Sequence, residues 1–163
     1  MFGWKKKKAV ERILEVPAPL PGKVLPLAEV PDEAFAGGLM GEGIAIQPVE
    51  GKVTAPFAGK VVHVMEKSKH AVMLEHESGT QILIHVGMNT VSLKGEGFTA
   101  HVNSGDSVAQ GQLLLEFDIP AIEQAGYTVI TPVIVPAGQE HIKRIEVAEG
   151  QTDGQQGVIR IYY

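Results

Sequence analysis

The chain has 163 residues, of which 44% are hydrophobic, and it carries a formal net charge of −5 at pH 7. This is the length of one domain that buries about two thirds of the surface of its unfolded chain, and nineteen glycines with ten prolines favour many short strands joined by tight turns. Because the chain contains no cysteine, disulfides, thiolate metal sites and cysteine nucleophiles are excluded.

Charge is unevenly distributed along the chain. Lysines at positions 5–8 together with Arg12, against Glu11, give residues 1–12 a net charge of +4. Since the whole chain totals −5, residues 13–163 carry −9. An acidic body argues against nucleic acid as a partner.

The basic start of the chain has two interpretations. Phe2 and Trp4 beside the lysines could make a weak contact with an anionic membrane surface, where each lysine contributes about 1 kcal/mol. The small number of apolar residues favours instead a disordered, solvating tail. No apolar segment of signal-peptide length follows, and no stretch approaches the length that crosses a bilayer. We therefore expect a cytoplasmic protein, peripheral to the inner face of the membrane at most through this tail, with a tail at 1–12 and one domain at 13–163.

A Pro-x-x-Gly-Lys-Val sequence occurs at 19–24, 48–53 and 56–61. Proline fixes one turn angle, glycine permits positive φ and valine begins a strand, so each copy predicts the entry to a hairpin. Copies at unequal spacing do not indicate a solenoid. They indicate recurring turns within one compact sheet system.

The segment Pro31–Gly43, between the first two copies, predicts an irregular loop with at most a brief helical turn before Gly37 and Gly38. It carries three apolar side chains, Phe35, Leu39 and Met40. Burial of such side chains stabilises a fold by about 1.5–3 kcal/mol each, which makes the core their default place and a partner-binding surface the alternative.

The rest of the chain predicts further short strands. They are expected at 43–47, 60–65, 70–76, 81–86, 113–117, 128–135, 141–147 and 157–162, with Gly79 turning a hairpin between the third and the fourth. Pro132 and Pro136 restrict the strand at 128–135 to a sheet edge or to irregular pairing.

One short helix is predicted after the strand at 113–117. Asp118 is a suitable N-cap, Pro120 falls in the first turn and Gly126 lies past the end. Together the elements predict an all-β fold, an antiparallel β-sandwich or barrel with at most one or two short helices.

His85 is the principal candidate for chemistry. Alternate side chains of a strand face opposite sides, so Ile82, Ile84 and Val86 share one face and His85 points outward from the other. An outward imidazole suits a group that must meet a partner protein, because a neutral imidazole with a pKa near 6.5 is a nucleophile at neutral pH. A histidine merely tolerated on a sheet surface is the alternative.

Of the other five histidines, His70 alone shares an apolar setting, within Lys69-His-Ala-Val-Met. The same alternation places it with Val72 and Leu74, so a buried core histidine is a serious alternative for it. His101 and His141 lie at strand ends and should be solvated, and His63 and His76 lie in strands with no recognisable partner.

The stretch Gly79-x-x-Ile-Leu-Ile-His-Val-Gly-Met-x-Thr-Val91 closely resembles the phosphorylation-site signature of the glucose-type IIA component of the bacterial phosphoenolpyruvate:sugar phosphotransferase system. Lys69-His-Ala71 resembles the segment bearing the second active-site histidine of that family. Three further stretches resemble its flanking motifs and C-terminal strand: Gly41-Glu-Gly-Ile-Ala-Ile46, Leu93-Lys-Gly-Glu-Gly-Phe98 and Thr131-Pro-Val133.

The resemblance implies a β-sandwich of the duplicated hybrid motif type and a defined relay. His85 would accept a phosphoryl group from the small histidine-containing phosphocarrier protein and donate it to a cysteine on the IIB domain of a sugar permease. His70 would bind the phosphate, aided by Ser68 at a position where threonine is common in the family. Phe35, Leu39 and Met40 would form the partner-docking surface. No cofactor is required, and regulatory targets are further candidate partners. Without a cysteine of its own, the chain needs its acceptor on another chain, as a free-standing IIA protein does.

Two other classes compete with this interpretation. The turns at 56–61 and 105–113 resemble those of biotinyl or lipoyl carrier domains, but neither Lys67 nor Lys69 lies between methionines as a modified lysine would. A zinc hydrolase of the lysostaphin-like class needs three protein ligands, and its His-x-His pair is missing. A zinc ion shared by His70, His85 and a carboxylate of a partner is the metal site compatible with this chain.

Overall fold

A computed structural model of the chain describes residues 12–148 and 157–163. The tail predicted at 1–12 lies outside these residues except for Arg12. The described strands are β1 (Ile13–Pro17), β2 (Gly22–Pro26), β3 (Gly41–Pro48), β4 (Lys52–Thr54), β5 (Gly59–Val64), β6 (Ala71–His76), β7 (Gln81–His85), β8 (Phe98–Ala100), β9 (Ser107–Val108), β10 (Leu113–Phe117), β11 (Thr131–Pro136), β12 (Arg144–Val147) and β13 (Gly157–Tyr162). The helices are α1 (Glu33–Ala36) and α2 (Ile119–Gln124), with 3-10 turns at Leu27–Glu29 and Thr90–Leu93.

The strands pair antiparallel in three sheets. The largest has the order β2-β3-β11-β7-β6-β5-β9, and the two smaller sheets have the orders β1-β13-β12 and β4-β10-β8. This confirms the predicted all-β fold with two short helices. Each sheet in the described part of the chain keeps two edges, so the barrel alternative is wrong.

The middle of the largest sheet is apolar on both faces. Ile44, Ile82 and Val133 point into the main core with the smaller sheets. Their neighbours in the same strands point the opposite way, into a second cluster composed of Leu25, Val30, Phe35, Ala45, Met88, Ile130 and Ile134, with Leu27 and Leu83 partly buried against it. The segment that precedes β3 therefore covers the outer face of the sheet beside the end of β7.

Of the two arrangements expected for the proline-containing strand at 128–135, a sheet edge or irregular pairing, the sheet edge is wrong. β11 lies between β3 and β7 inside the largest sheet. Its pairing with β3 runs from Thr131 to Pro136, but its pairing with β7 comprises only Val133 with Ile84 and Ile134 with Leu83. Both prolines fall outside this two-residue ladder, so an interior strand accommodates residues that have no N–H.

The repeated Gly-Lys-Val sequences do begin strands, namely β2, β4 and β5, but the expected positive φ is wrong for two of the three glycines. Gly51 and Gly59 are absent from the positions with positive φ. A Cβ on Gly51 would meet the carbonyl oxygen of Phe117, and one on Gly59 would meet that of Glu75. Close approach of backbone, rather than turn geometry, requires glycine there.

The predicted helix is confirmed as α2. The Asp118 side chain accepts a hydrogen bond from the backbone N–H of Ala121 at 3.0 Å, and proline lies in the first turn. α1 is the brief turn expected before Gly37, capped by the Asp32 side chain. Neither of these helices, nor any other in the described residues, has the length and apolarity to cross a membrane.

Candidate active site

His85 is the last residue of β7 and lies half-buried on the outer face of the largest sheet. Ile82, Ile84 and Val86 are fully buried on the opposite face, as alternation predicted. The His85 Nδ1 lies 2.9 Å from the carbonyl oxygen of Gly87. Because a carbonyl oxygen only accepts, Nδ1 carries the proton and the neutral ring presents its lone pair at Nε2. Nε2 is therefore the nucleophilic nitrogen.

His70 lies beside His85, with the ring centroids 4.6 Å apart and the planes nearly perpendicular at 85°. It is 4% exposed. The expectation that it shares the core face of Val72 and Leu74 is wrong. His70 precedes β6 and follows Lys69, whose φ is +55°, so the alternation of β6 does not extend to it. Ala71, which does belong to β6, is the residue paired with His85.

Ser68 forms a hydrogen bond with Nδ1 of the His70 ring. Its Oγ lies 2.7 Å from His70 Nδ1, and the side chain is buried. A hydroxyl can donate to an unprotonated Nδ1, which leaves the proton of neutral His70 on Nε2. In that state His70 is a hydrogen-bond donor beside a nucleophile.

The three apolar residues of the 31–43 segment divide into two groups. Phe35 is buried in the second cluster, and its ring centroid lies 5.0 Å from that of His85. Leu39 and Met40 are exposed at 79% and 41%. Phe35 thus contacts the candidate nucleophile directly, while Leu39 and Met40 offer apolar surface.

Burial shifts the titration of both histidines. It lowers the pKa of His70 to about 4, with a smaller contribution from a charge on His85. It also lowers the pKa of His85, while the carbonyl of Gly87 and the carboxylate of Asp32 act to raise it. Both rings are neutral at pH 7, so one can act as nucleophile and the other as neutral donor.

Sequence reasoning missed Asp32 and Thr90. Asp32 accepts a hydrogen bond from Ala34 N–H at 2.9 Å as the cap of α1, and the Asx–Glu start of a helix could have revealed that cap. Thr90 is fully buried, and its hydroxyl donates to the carbonyl oxygen of Val86 at 2.5 Å. No local sequence pattern predicts this hydrogen bond between Thr90 and Val86.

A surface cleft of about 970 Å³ opens next to Ser68. Three of its lining residues are basic: Lys67, Lys69 and Lys94. Glu66 also lines the cleft, so three lysines and one carboxylate give it a net charge of +2 on a chain whose net charge is negative.

The remaining histidines have other surroundings. His101 pairs with Glu116 at 2.7 Å, His141 bonds Thr80 at 2.8 Å, and both are exposed as predicted. His76 lacks a recognisable partner in the sequence, yet its Nδ1 lies 2.9 Å from Ser78 Oγ and its ring contacts Phe57. Residues 12–148 and 157–163 contain no group of three or more His, Cys, Asp or Glu placed to hold a metal ion, so zinc on His70 and His85 would need a ligand from a partner.

Comparison with known proteins assigns this site to a family. The family model described as phosphoenolpyruvate-dependent sugar phosphotransferase system, EIIA 1, matches residues 14–141, which include both histidines. The chain belongs to this EIIA family. It is therefore a phosphotransferase component that carries phosphoryl groups in sugar uptake, and the resemblance seen in the sequence is confirmed.

Two relatives agree with this assignment over nearly the whole chain. The glucose-specific EIIA component of the phosphotransferase system of Oceanobacillus iheyensis is 42% identical over 160 residues, covering 97% of this chain and 96% of the relative. The solved structure of glucose permease IIA from Mycoplasma capricolum superposes with a TM-score of 0.80 at 31% identity, covering 99% of each chain. Membership of the family decides against the biotinyl or lipoyl carrier and the zinc hydrolase.

Proposed function

We propose that this EIIA protein accepts the phosphoryl group on Nε2 of His85. The donor is the phosphohistidine of the small histidine-containing phosphocarrier protein, and the acceptor is a cysteine of the IIB domain of a sugar permease. The observation that carries the proposal is the 2.9 Å contact between His85 Nδ1 and the Gly87 carbonyl oxygen, because it leaves Nε2 as the nitrogen with a lone pair.

In the first step the Nε2 lone pair of His85 attacks phosphorus, and the bond from phosphorus to the donor imidazole breaks with its electron pair returning to the donor. The proton on Nδ1 stays in place, so the phosphorylated ring gains positive charge. The Gly87 carbonyl and the Asp32 carboxylate, which oppose the lowering of the His85 pKa by burial, stabilise that charge.

His70 binds the transferred phosphoryl group in this mechanism. With Nδ1 accepting from Ser68 at 2.7 Å, the Nε2–H of His70 donates to a phosphoryl oxygen. Its pKa of about 4 keeps the ring neutral, so it stabilises the transferring group by hydrogen bonding without a fixed positive charge. A neutral donor lets the phosphate depart, which a relay requires.

In the second step a cysteine thiolate of the acceptor attacks phosphorus, and the bond to His85 Nε2 breaks with its electron pair returning to the ring. This chain contains no cysteine, so the thiolate comes from the acceptor domain. The names of the two relatives support a glucose-type permease as that acceptor. No cofactor takes part, and the exchange takes place in the cytoplasm.

Leu39 and Met40 form the partner-docking surface in this proposal. They are exposed at 79% and 41%, and both follow α1, whose Phe35 contacts His85. Donor and acceptor must each bring a reacting atom to His85, so both use the same apolar patch in turn.

The test uses labelled phosphoenolpyruvate, the two upstream relay proteins, this protein and a IIB acceptor. His85→Ala should abolish labelling, whereas His70→Ala should still accept the label but fail to donate it. Undiminished labelling of the His85→Ala variant would contradict the assignment.

Ser68 supplies a graded control in the same assay. Ser68→Ala removes the hydroxyl that orients His70 and should slow onward transfer by about tenfold, the effect of losing one hydrogen bond. Ser68→Thr keeps the hydroxyl and should transfer at the wild-type rate. Equal rates for the alanine and threonine variants would remove Ser68 from the mechanism.

A further inference from the structure

The peptide groups Val86–Gly87 and Gly87–Met88 lie just after His85, and each is hydrogen-bonded through both its carbonyl and its N–H. In the first, the Val86 carbonyl accepts from the Thr90 hydroxyl at 2.5 Å, and the Gly87 N–H donates to the Ile130 carbonyl at 3.0 Å. In the second, the Gly87 carbonyl accepts from His85 Nδ1 at 2.9 Å, and the Met88 N–H donates to the Thr128 carbonyl at 3.3 Å.

The side chain of Thr90 also packs on Gly87, the residue whose carbonyl orients His85. Gly87 has a φ of +77°, and a Cβ placed on it would lie 2.6 Å from Thr90 Cγ2. Thr90 thus fixes Gly87 in two ways, through its methyl group and through the bond of its hydroxyl to the preceding peptide.

A threonine hydroxyl that bonds the carbonyl four residues earlier is common within helices. Here, however, the 3-10 turn begins at Thr90, and Val86 lies beyond its N-cap, Asn89. The bond therefore joins the turn to the end of β7 and is not a feature of a continuing helix. Thr90 is also fully buried, so loss of the hydroxyl leaves the Val86 carbonyl without that donor.

We infer that Thr90 is a positioning residue that selects the Nδ1–H tautomer of His85 by fixing the Gly87 carbonyl. The inference rests on the proposed function, since the tautomer matters only if Nε2 is the nucleophile. Without the bond from Thr90, the Val86–Gly87 peptide keeps only the Gly87 N–H bond to the Ile130 carbonyl, and the Gly87 carbonyl is held less firmly at Nδ1. The proton then distributes between both ring nitrogens, and part of the population presents no lone pair at Nε2.

The experiment measures the His85 tautomer directly by ¹H–¹⁵N correlation of its ring nitrogens at neutral pH. Wild type should show a protonated Nδ1 and an unprotonated Nε2. Thr90→Val, close in shape but without a hydroxyl, should show both nitrogens averaged, and its rate of phosphoryl acceptance should fall by about two- to tenfold, in step with the lost Nδ1–H population. Thr90→Ser keeps the donor and should restore both readouts.

Thr80→Val is the matched control. Thr80 is also fully buried and hydrogen-bonded through its hydroxyl, but it precedes β7 at the end opposite His85. Its loss should lower stability without changing the ring nitrogens of His85. If Thr90→Val behaves as Thr80→Val does, with wild-type ring nitrogens and rate, Thr90 is only structural and the inference is wrong.

Thr90→Cys keeps a weaker donor and serves if the valine variant fails to fold. It should give ring-nitrogen shifts between those of wild type and an averaged ring, whereas wild-type shifts would overturn the inference. The NMR readout also separates this inference from the proposed function. Wild-type protein that accepts no phosphoryl group would refute the function whatever the tautomer of His85.

Discussion

Burial of His70 couples the stability of the protein to pH. Its pKa falls from 6.5 to about 4 on folding because the ring loses solvent. Below pH 6.5 the His70 side chain of the unfolded chain binds a proton, whereas in the folded chain it stays neutral until the pH approaches 4. The contribution of His70 is thus fully present above pH 6.5 and is lost as pH falls toward 4.

This shift predicts that the free energy of unfolding drops by about 2 kcal/mol between pH 7 and pH 5 through His70 alone. His85, whose pKa is also lowered, adds a drop of the same sign. Urea unfolding at the two pH values measures the sum, and His70→Gln, which cannot titrate, should show a smaller drop. An equal drop in the variant would show that His70 is not responsible.

The sequence predicts the orientation of His85 correctly but not that of His70. Strand alternation places His85 outward because β7 is regular up to that residue. It fails for His70, since the positive φ of Lys69 precedes β6 and carries no strong sequence signal at a lysine. Thr90 acts through a backbone contact made by the fold, so residue type alone does not reveal it, whereas the capping role of Asp32 has a local sequence signal.

Among the elements, β3 and β11 approach closely at Gly43. This glycine has no positive φ, yet a Cβ on it would meet the Val133 carbonyl oxygen and lie 2.7 Å from Ile134 Cα. Both of these residues pair with β7, the strand that carries His85. An added methyl group would therefore separate the strands that support the site.

Gly43→Ala should lower the free energy of unfolding by about 1–3 kcal/mol, the usual cost of overpacking. Glu42→Ala is the control, because Glu42 is the exposed neighbour in the same strand. Urea unfolding compares the two variants. A Gly43→Ala variant as stable as Glu42→Ala would show that β3 and β11 can separate without cost.

Most elements follow from local chemistry, and the exceptions have a common cause. Asp118 and Pro120 specify the start of α2, and Gly79, with a φ of +87°, turns the hairpin between β6 and β7. The interior place of β11 does not follow locally, because it depends on where β7 stops pairing. The position of a strand within a sheet depends on pairing with strands that are distant in sequence, which local residue patterns do not specify.

Residues 12–148 and 157–163 form one large sheet and two small ones. Apolar side chains on both faces of the centre of the large sheet explain why the outward-facing His85 is half-buried. The composition predicts short strands and one domain, but it does not predict that Leu25, Val30 and Phe35 form a second cluster with Met88. That cluster is the reason why 31–43, an irregular segment in sequence, contacts the site.

The domain boundary near residue 12 can be tested by deletion. Arg12 N–H donates to the Tyr163 carbonyl at 3.1 Å and Tyr163 N–H donates to the Arg12 carbonyl at 2.9 Å, so the backbone pairing of β1 with β13 reaches Arg12. Deleting residues 1–11 should change the Tm by less than about 2 °C and leave phosphoryl acceptance unchanged. Deleting residues 1–17 removes buried Leu14 and Val16 and should destabilise the fold by several kcal/mol, roughly 1.5–3 for each side chain.

The same deletion tests the membrane contact that is the alternative to a solvating tail. A solvating tail predicts that the full chain does not bind vesicles rich in anionic lipid. If the full chain does bind them, the binding should be lost in the protein without residues 1–11 and also when the lysines at 5–8 are replaced by glutamine, because each lysine contributes about 1 kcal/mol. The glutamine variant separates charge from length. Vesicle binding that survives both changes would place the contact on the domain itself. In the stability test, a melting temperature that falls after deletion of residues 1–11 would move the domain boundary toward the start of the chain.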